Sequence, residues 1–119
     1  MDFQVIDFDA LEERVFGDMD LLDEIIGIFL DRSPEAMTRI RRAVTSGDAK
    51  GLEAAAHNLR GYVANLHAKR AADLALEVEI KARHNDWLDM DKLFHSLERE
   101  MKLLTRALTP PVQDVMQSL

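Results

Sequence analysis

The sequence predicts an all-α protein: an antiparallel, up-down-up-down four-helix bundle with a short extra helix at its N-terminus. Apolar residues recur at helical spacing along most of the chain, and no stretch alternates strictly as a half-buried strand would. Only five glycines and three prolines interrupt the 119 residues. Because short loops return the chain beside the preceding helix, four long helices joined by such loops pack as an antiparallel bundle.

The first two helices are separated by the segment GDMD, residues 17–20. A short helix is expected around Phe8–Phe16, and a long one begins at Met19. Pro34 allows two interpretations: Ser33 caps a new helix with Pro34 at its first position, or one helix continues with a kink. The apolar stripe keeps its phase across the proline, which favours one kinked helix. Its positions are Leu22, Ile25, Ile26, Phe29, Ala36, Met37, Ile40 and Val44.

Turn residues bound the remaining three helices. Gly47 is expected to stop the second helix and Asp48 to cap the third, which runs to about Leu66. A fourth helix is expected over residues 69–83, and a fifth is ended by the paired prolines 110–111. The inward positions of these last two helices are Ala71, Leu74, Ala75, Val78, Ala82, Met90, Leu93, Leu97, Met101, Leu104 and Leu108.

Length, composition and charge bound the function classes. With 47% hydrophobic and 31% charged residues, the chain is expected to form one globular domain over residues 1–108, followed by a loosely held tail over residues 109–119. The formal charge of −7 would repel a phosphate backbone, so no nucleic-acid partner is expected. The chain has no cysteine, no signal-peptide start and no apolar run long enough to cross a bilayer, which favours a cytoplasmic protein without membrane contact.

The helical wheel of the third helix turns His57 away from the core. With Leu52 at zero, His57 falls at about 140° and Gly61 at about 180°. The apolar residues that share the direction of Leu52 are Ala56, Leu59, Val63 and Leu66.

The residues around this histidine are small or cationic. Ala54, Gly61 and Ala64 replace the long charged side chains that normally cover an exposed helix face, so a partner's backbone could approach the imidazole closely. A helix-interior glycine costs about 1 kcal/mol relative to alanine, and close approach is a reason to tolerate it. Arg60 and Lys50 lie on the same side and would hold an anion such as a phosphoryl group. From the residues alone, a plain surface histidine and a phosphoryl site stay open as alternatives.

Other chemistries lack the residues that they need. His67, His84 and His95 show no metal-ligand spacing, so no metal site is expected. No phosphate-binding loop or kinase signature is present, and neither is a nucleophilic serine elbow or a cysteine. The residues alone therefore give no support for a metal site, for ATP binding through such loops or for acyl-enzyme hydrolysis.

The segment AAHNLRGYVANLHA, residues 55–68, resembles the signature of histidine-containing phosphotransfer (HPt) domains, roughly A-H-x-L-K-G-S-x-x-x-L-G-A. FDALEERVFGDMDLLDEIIGIFLDRSPEAMTRI resembles the first two helices of that family, SGDAKGLEAAAH its approach to the active helix, and LEVEIKAR the L-E-x-x-A-R stretch of its fourth. The resemblance extends over residues 5–108. The matching signature positions are Ala56, His57, Leu59, Arg60 in place of lysine, Gly61, Leu66 and Ala68.

The resemblance implies a phosphorelay intermediate that binds no cofactor itself and is not an enzyme with its own turnover. His57 would accept a phosphoryl group from the aspartate of one response-regulator receiver domain and pass it to another, and Arg60 would offset the added charge. The expected partners are receiver domains and a hybrid sensor histidine kinase, the Mg²⁺ is expected on the receiver, and the chain is expected to be a monomer. Partner docking is expected at Lys50, Ala54, Gly61 and Ala64.

Two further positions depart from the family pattern. Tyr62 stands where a small serine is common, and His67 stands where glycine is usual, which leaves partner preference and local helix packing open. A second hypothesis is a docking module that binds a receiver or kinase through the same helix face without carrying phosphate. A third, a metal or cofactor bundle, lacks the inward Glu-x-x-His pairs that it needs.

Overall fold

The computed structural model describes residues 5–109, which form five α-helices and no strand. This confirms the predicted all-α class. The helices are α1 (Phe8–Arg14), α2 (Met19–Ser46), α3 (Ala49–Asn65), α4 (Lys69–Arg83) and α5 (Met90–Leu108). The predicted tail lies outside the described residues from position 110 onward, so the division of the chain at residue 108 stays a prediction.

α2 is one continuous helix of 28 residues that passes through Pro34. The prediction of a single helix is therefore correct, and the interpretation of Ser33 as the cap of a new helix is wrong. Pro34 is exposed, so the Leu30 carbonyl that loses its N–H partner lies where water can replace it. Ser33, one residue earlier, is buried at 5% exposure and so follows the core stripe of the helix.

The predicted stop and cap between α2 and α3 are confirmed. Gly47 has φ 70°, the left-handed conformation in which glycine ends a helix without strain. The Asp48 carboxylate accepts a hydrogen bond from the Gly51 N–H at 2.9 Å, which satisfies a free donor of the first turn. α1 ends two residues before the predicted Phe16, because Phe16 (φ 54°) and Gly17 (φ 72°) turn left-handed.

The four long helices pack around one core. α3 packs against α2 and α4, and α5 packs against α4 and α2. Each contributes the apolar stripe that the periodicity predicts. The innermost side chains include Phe29, Ile40, Leu52, Leu59, Val63, Leu66, Val78, Leu97 and Leu104.

The turn between α3 and α4 places a histidine in a strained backbone conformation. His67 has φ 54°, a region that costs most residues about 1 kcal/mol and glycine nothing. Its Nε2 atom is buried and has no hydrogen-bond partner among the described residues. The departure from the family's glycine is thus a cost to stability at this turn.

His67→Gly is therefore expected to raise the free energy of unfolding by about 1 kcal/mol, because it removes both the backbone strain and the unpartnered nitrogen. Urea denaturation followed by circular dichroism measures it. Phe16→Gly is the matched control, since Phe16 has the same φ of 54° but is 94% exposed. An unchanged or lower stability in His67→Gly would show that the imidazole contributes packing that outweighs the strain.

Two features that would indicate a function are absent from residues 5–109. None of the helices is long and apolar enough to span a membrane. No cluster of three or more histidine and carboxylate side chains could hold a metal ion in that part of the chain.

Candidate functional site

α3 presents His57 on its exposed side, as the wheel predicts. Leu52, Ala56, Leu59 and Val63 on the opposite side are all 0% exposed, and they fix the rotation of the helix against the bundle. The His57 side chain is 66% exposed. The imidazole therefore lies at the surface on a rigid helix, where a second protein can reach it.

The outer face of α3, formed by Lys50, Ala54, His57, Gly61 and Ala64, is exposed along its length. A Cβ atom added at Gly61 would meet no other atom within 4 Å, and the backbone there is ordinary helix. No packing contact within residues 5–109 therefore requires glycine at this position. The absent side chain leaves space beside His57 that a partner protein could occupy.

A buried carboxylate lies beneath the imidazole. Glu79 of α4 is 3% exposed, and its Oε2 atom lies 3.1 Å from His57 Nδ1. Its Oε1 atom accepts a hydrogen bond from Arg60 Nε at 2.9 Å, and its Oε2 atom accepts another from Arg83 Nη2 at 3.1 Å. These donors replace the water that the charge loses on burial. An isolated buried carboxylate would have no such donors.

The same contacts restrict the protonation of His57. Nδ1 lies 3.1 Å from Glu79 Oε2 and 3.0 Å from Arg60 Nη2. A proton on Nδ1 donates to the carboxylate and leaves the lone pair on Nε2, whereas an unprotonated Nδ1 would accept from the guanidinium. The two contacts therefore alternate, and the one to Glu79 is the arrangement in which Nε2 is a free nucleophile.

Glu79 remains ionised despite its burial. Burial alone would raise the pKa of the carboxyl, but hydrogen bonds and charge from Arg60 and His57 outweigh it and hold the pKa below its ordinary value of 4.5. A carboxylate is thus present at neutral pH to accept the Nδ1 proton. The same charge would stabilise an imidazolium or a phosphorylated ring.

Arg60 lies beside His57, as its spacing of three residues predicts, and its side chain is 33% exposed. It is anchored by Glu79 rather than free in solvent. Tyr62, the other departure on this helix, is half-buried and packs against the core. Arg83 is held in turn by Glu53 of α3 at 2.8 Å, which ties α3 to α4 next to the site.

Sequence reasoning missed Glu79. A signal was present: Glu79 follows Ala71 and Ala75 at intervals of four, so it lies inside the apolar stripe of α4. A charged residue in such a stripe needs a partner. The wheel of one helix could not show that the partners, His57 and Arg60, come from another.

Comparisons with known proteins identify the fold and the family. The crystal structure of histidine-containing phosphotransfer protein B from Pseudomonas aeruginosa PAO1 superposes with a TM-score of 0.82 at 23% sequence identity, covering 90% of this chain and 93% of that chain. That likeness shows the fold. No curated protein matches significantly. The model of the Hpt domain family matches residues 24–109, well over half of the sequence, so the chain belongs to the Hpt domain family and has a phosphotransfer role in two-component signalling.

Proposed function

We propose that His57 is the phosphoryl acceptor and that the chain is an intermediate between two receiver domains. The observation that carries the proposal is the contact of 3.1 Å between Nδ1 and the buried carboxylate of Glu79, on a ring that is 66% exposed. This contact supports a surface imidazole whose Nδ1 proton can be held by a carboxylate, which leaves the Nε2 lone pair free.

The transfer would proceed through Nε2. Its lone pair attacks the phosphorus of an aspartyl phosphate on the receiver, the new N–P bond forms, and the bond from phosphorus to the carboxylate oxygen breaks. The ring gains positive charge as the bond forms, and the Nδ1 proton shares it with Glu79. Passing the group to a second receiver is the same step in reverse, so no proton needs to leave the site.

Arg60 would hold the charge of the phosphorylated state. Its Nε atom donates to Glu79 at 2.9 Å, and once Nδ1 is protonated the Nη2 N–H group beside the ring is available to a phosphoryl group. The Mg²⁺ that neutralises the transferring group is expected on the receiver. The chain itself would then bind no cofactor and have no turnover of its own.

We also propose the arrangement of the helices and the oligomeric state. The packing of α3 on α2 and α4, and of α5 on α4 and α2, supports an antiparallel up-down-up-down bundle with α1 as the extra helix. A monomer leaves the outer face of α3 free for partners. A hybrid sensor histidine kinase would carry the donor receiver.

Phosphotransfer profiling tests the proposed function. Each receiver domain encoded by the source genome is phosphorylated with labelled phosphate and mixed with the chain at short times. We expect acid-labile, base-stable label on the chain from at least one receiver, and onward transfer to another. Binding of receivers without any label would instead support a docking module that carries no phosphate.

Substitutions at Gly61 test the role of the outer face of α3. Gly61→Ala is expected to raise the free energy of unfolding by about 1 kcal/mol, because the added Cβ meets nothing and alanine favours helix. Gly61→Gln is expected to slow transfer at least about tenfold, since a long side chain would block the approach to His57.

Gly27 of α2 supplies matched controls, because a Cβ there also meets no atom within 4 Å. Gly27→Ala should give the same gain in stability, and Gly27→Gln should leave the transfer rate unchanged. Equal transfer rates for Gly61→Gln and wild type would refute the role of the outer face as a landing surface.

A further inference from the structure

A cleft with a basic rim lies between α2 and α3, on the side of α3 away from α4. Its volume is about 580 Å³, and its lining includes Arg39 and Arg42 of α2 and the small residues Gly51, Ala54 and Ala55 of α3. We call it the basic cleft. Its α3 wall has no long side chain at these three positions, so another protein's side chains can enter it.

Two cations at or near this cleft have no ion-pair partner among the described residues. Arg42 on its wall and Lys50 nearby on α3 are exposed, and neither makes an ion pair with any residue between 5 and 109. Arg39 pairs with Glu35 at 3.0 Å, but both side chains are more than half exposed. Asp48 also lines the cleft and keeps its negative charge, although its carboxylate accepts a hydrogen bond from the Gly51 N–H, so the lining carries two arginines against one carboxylate. The basic cleft is therefore a positive region on a chain of net charge −7.

The basic cleft adjoins the phosphotransfer site. Ala54 lines the cleft and precedes His57 by three residues, which places the two side chains about one helical turn apart on α3. A protein that covers His57 closely enough for transfer also covers Ala54 and the mouth of the cleft. Any group that fills it would then belong to the partner that exchanges phosphate with His57.

We propose that the basic cleft receives an acidic segment of the receiver domain and that Arg42, assisted by Lys50, selects receivers by the charge of that segment. This inference rests on the proposed function. Carboxylates of the partner would pair with cations that have no partner within the described chain, and such pairs at the rim act mainly on the rate of association. A nucleic acid, the other anionic polymer, would meet net repulsion from the acidic chain.

Charge reversal at Arg42 tests the proposal. The probes are the phosphorylated receiver domains that transfer to the wild-type chain, assayed for kcat/KM of transfer at 50 and 500 mM salt. For the fastest of them, we expect Arg42→Glu to lower kcat/KM about tenfold at low salt and about threefold or less at high salt, because salt screens exposed charges. Arg42→Gln, which only removes the charge, is expected to give an intermediate loss.

Arg99→Glu is the matched control, since Arg99 lies on α5, is exposed and makes no ion pair within residues 5–109. It changes the net charge equally and is expected to alter kcat/KM less than twofold. If the Arg42 variants fold and behave like Arg99→Glu, the inference is overturned while the proposed function stands. If Arg42→Glu does not fold, Arg42→Gln decides by the same comparison. A wild-type chain that takes no label from any receiver overturns the proposed function, and this inference with it.

Discussion

His57→Gln is expected to abolish phosphoryl uptake while the bundle stays folded. The amide of glutamine has no nucleophilic nitrogen lone pair, so no N–P bond can form. The side chain is 66% exposed and the core stripe of α3 lies on the other side of the helix, so the free energy of unfolding should change by no more than about 1 kcal/mol. Label transfer from a phosphorylated receiver and thermal unfolding measure the two effects.

His95→Gln is the control for this variant. His95 is an exposed histidine of α5 whose Nδ1 lies against the Asp91 carbonyl oxygen and which makes no contact with a buried carboxylate. The His95→Gln variant should take label at the wild-type rate. Label on a folded His57→Gln variant would mean that the acceptor has been assigned to the wrong residue.

Glu79→Gln is expected to lower both transfer and stability. The neutral amide can still occupy the site, but it no longer attracts the Nδ1 proton of His57 or compensates the charges of Arg60 and Arg83. Loss of the group that orients a reacting imidazole commonly costs about 10–100-fold in rate. Removing the charge from a buried cluster of this kind should reduce the free energy of unfolding at neutral pH by about 2 kcal/mol.

The pH dependence of this difference has a defined sign. The pKa of Glu79 in the folded chain lies below its ordinary value of 4.5. The carboxylate therefore stabilises the fold fully at pH values above the pKa that the group has in the unfolded chain. The contribution is lost as pH falls through the folded pKa. The gap in stability between wild type and Glu79→Gln should therefore be full at pH 7 and shrink below pH 4.5. Urea denaturation at a series of pH values measures it.

Glu100→Gln separates a structural effect from a positioning effect. Glu100 of α5 is also buried, at 6% exposure, and its Oε1 atom accepts from Arg70 Nε at 3.2 Å, but it has no contact with His57. The Glu100→Gln variant should be less stable than wild type and keep the wild-type rate of transfer. A Glu79→Gln variant that also keeps that rate would show that the carboxylate serves the fold alone.

The orientation of the candidate site could be predicted from the sequence because it depends on one helix. The residues that bury α3 are a regular stripe, and once Leu52 and Leu59 point inward His57 must point outward. The boundary between α2 and α3 could be predicted for a similar reason, since Gly47 and Asp48 end and cap these helices through local backbone interactions.

Features that depend on the packing of two helices could not be predicted in this way. The contact of Glu79 with His57 is set by the relative rotation and height of α4 against α3, which periodicity does not contain. The end of α1 depends on the left-handed backbone of Phe16 and Gly17, and Phe rarely adopts that conformation. The basic cleft likewise needs two arginines of α2 and three small residues of α3 at matching heights.

The position of the phosphorus atom tests the central claim most directly. The chain is labelled with ¹⁵N-histidine, phosphorylated by a phosphorylated receiver, and observed by NMR for the one-bond coupling between phosphorus and nitrogen. We expect one phosphorylated histidine, His57, with phosphorus on Nε2 and the proton of Nδ1 retained toward Glu79. Phosphorus on Nδ1 of His57, or on His67, His84 or His95, would contradict it.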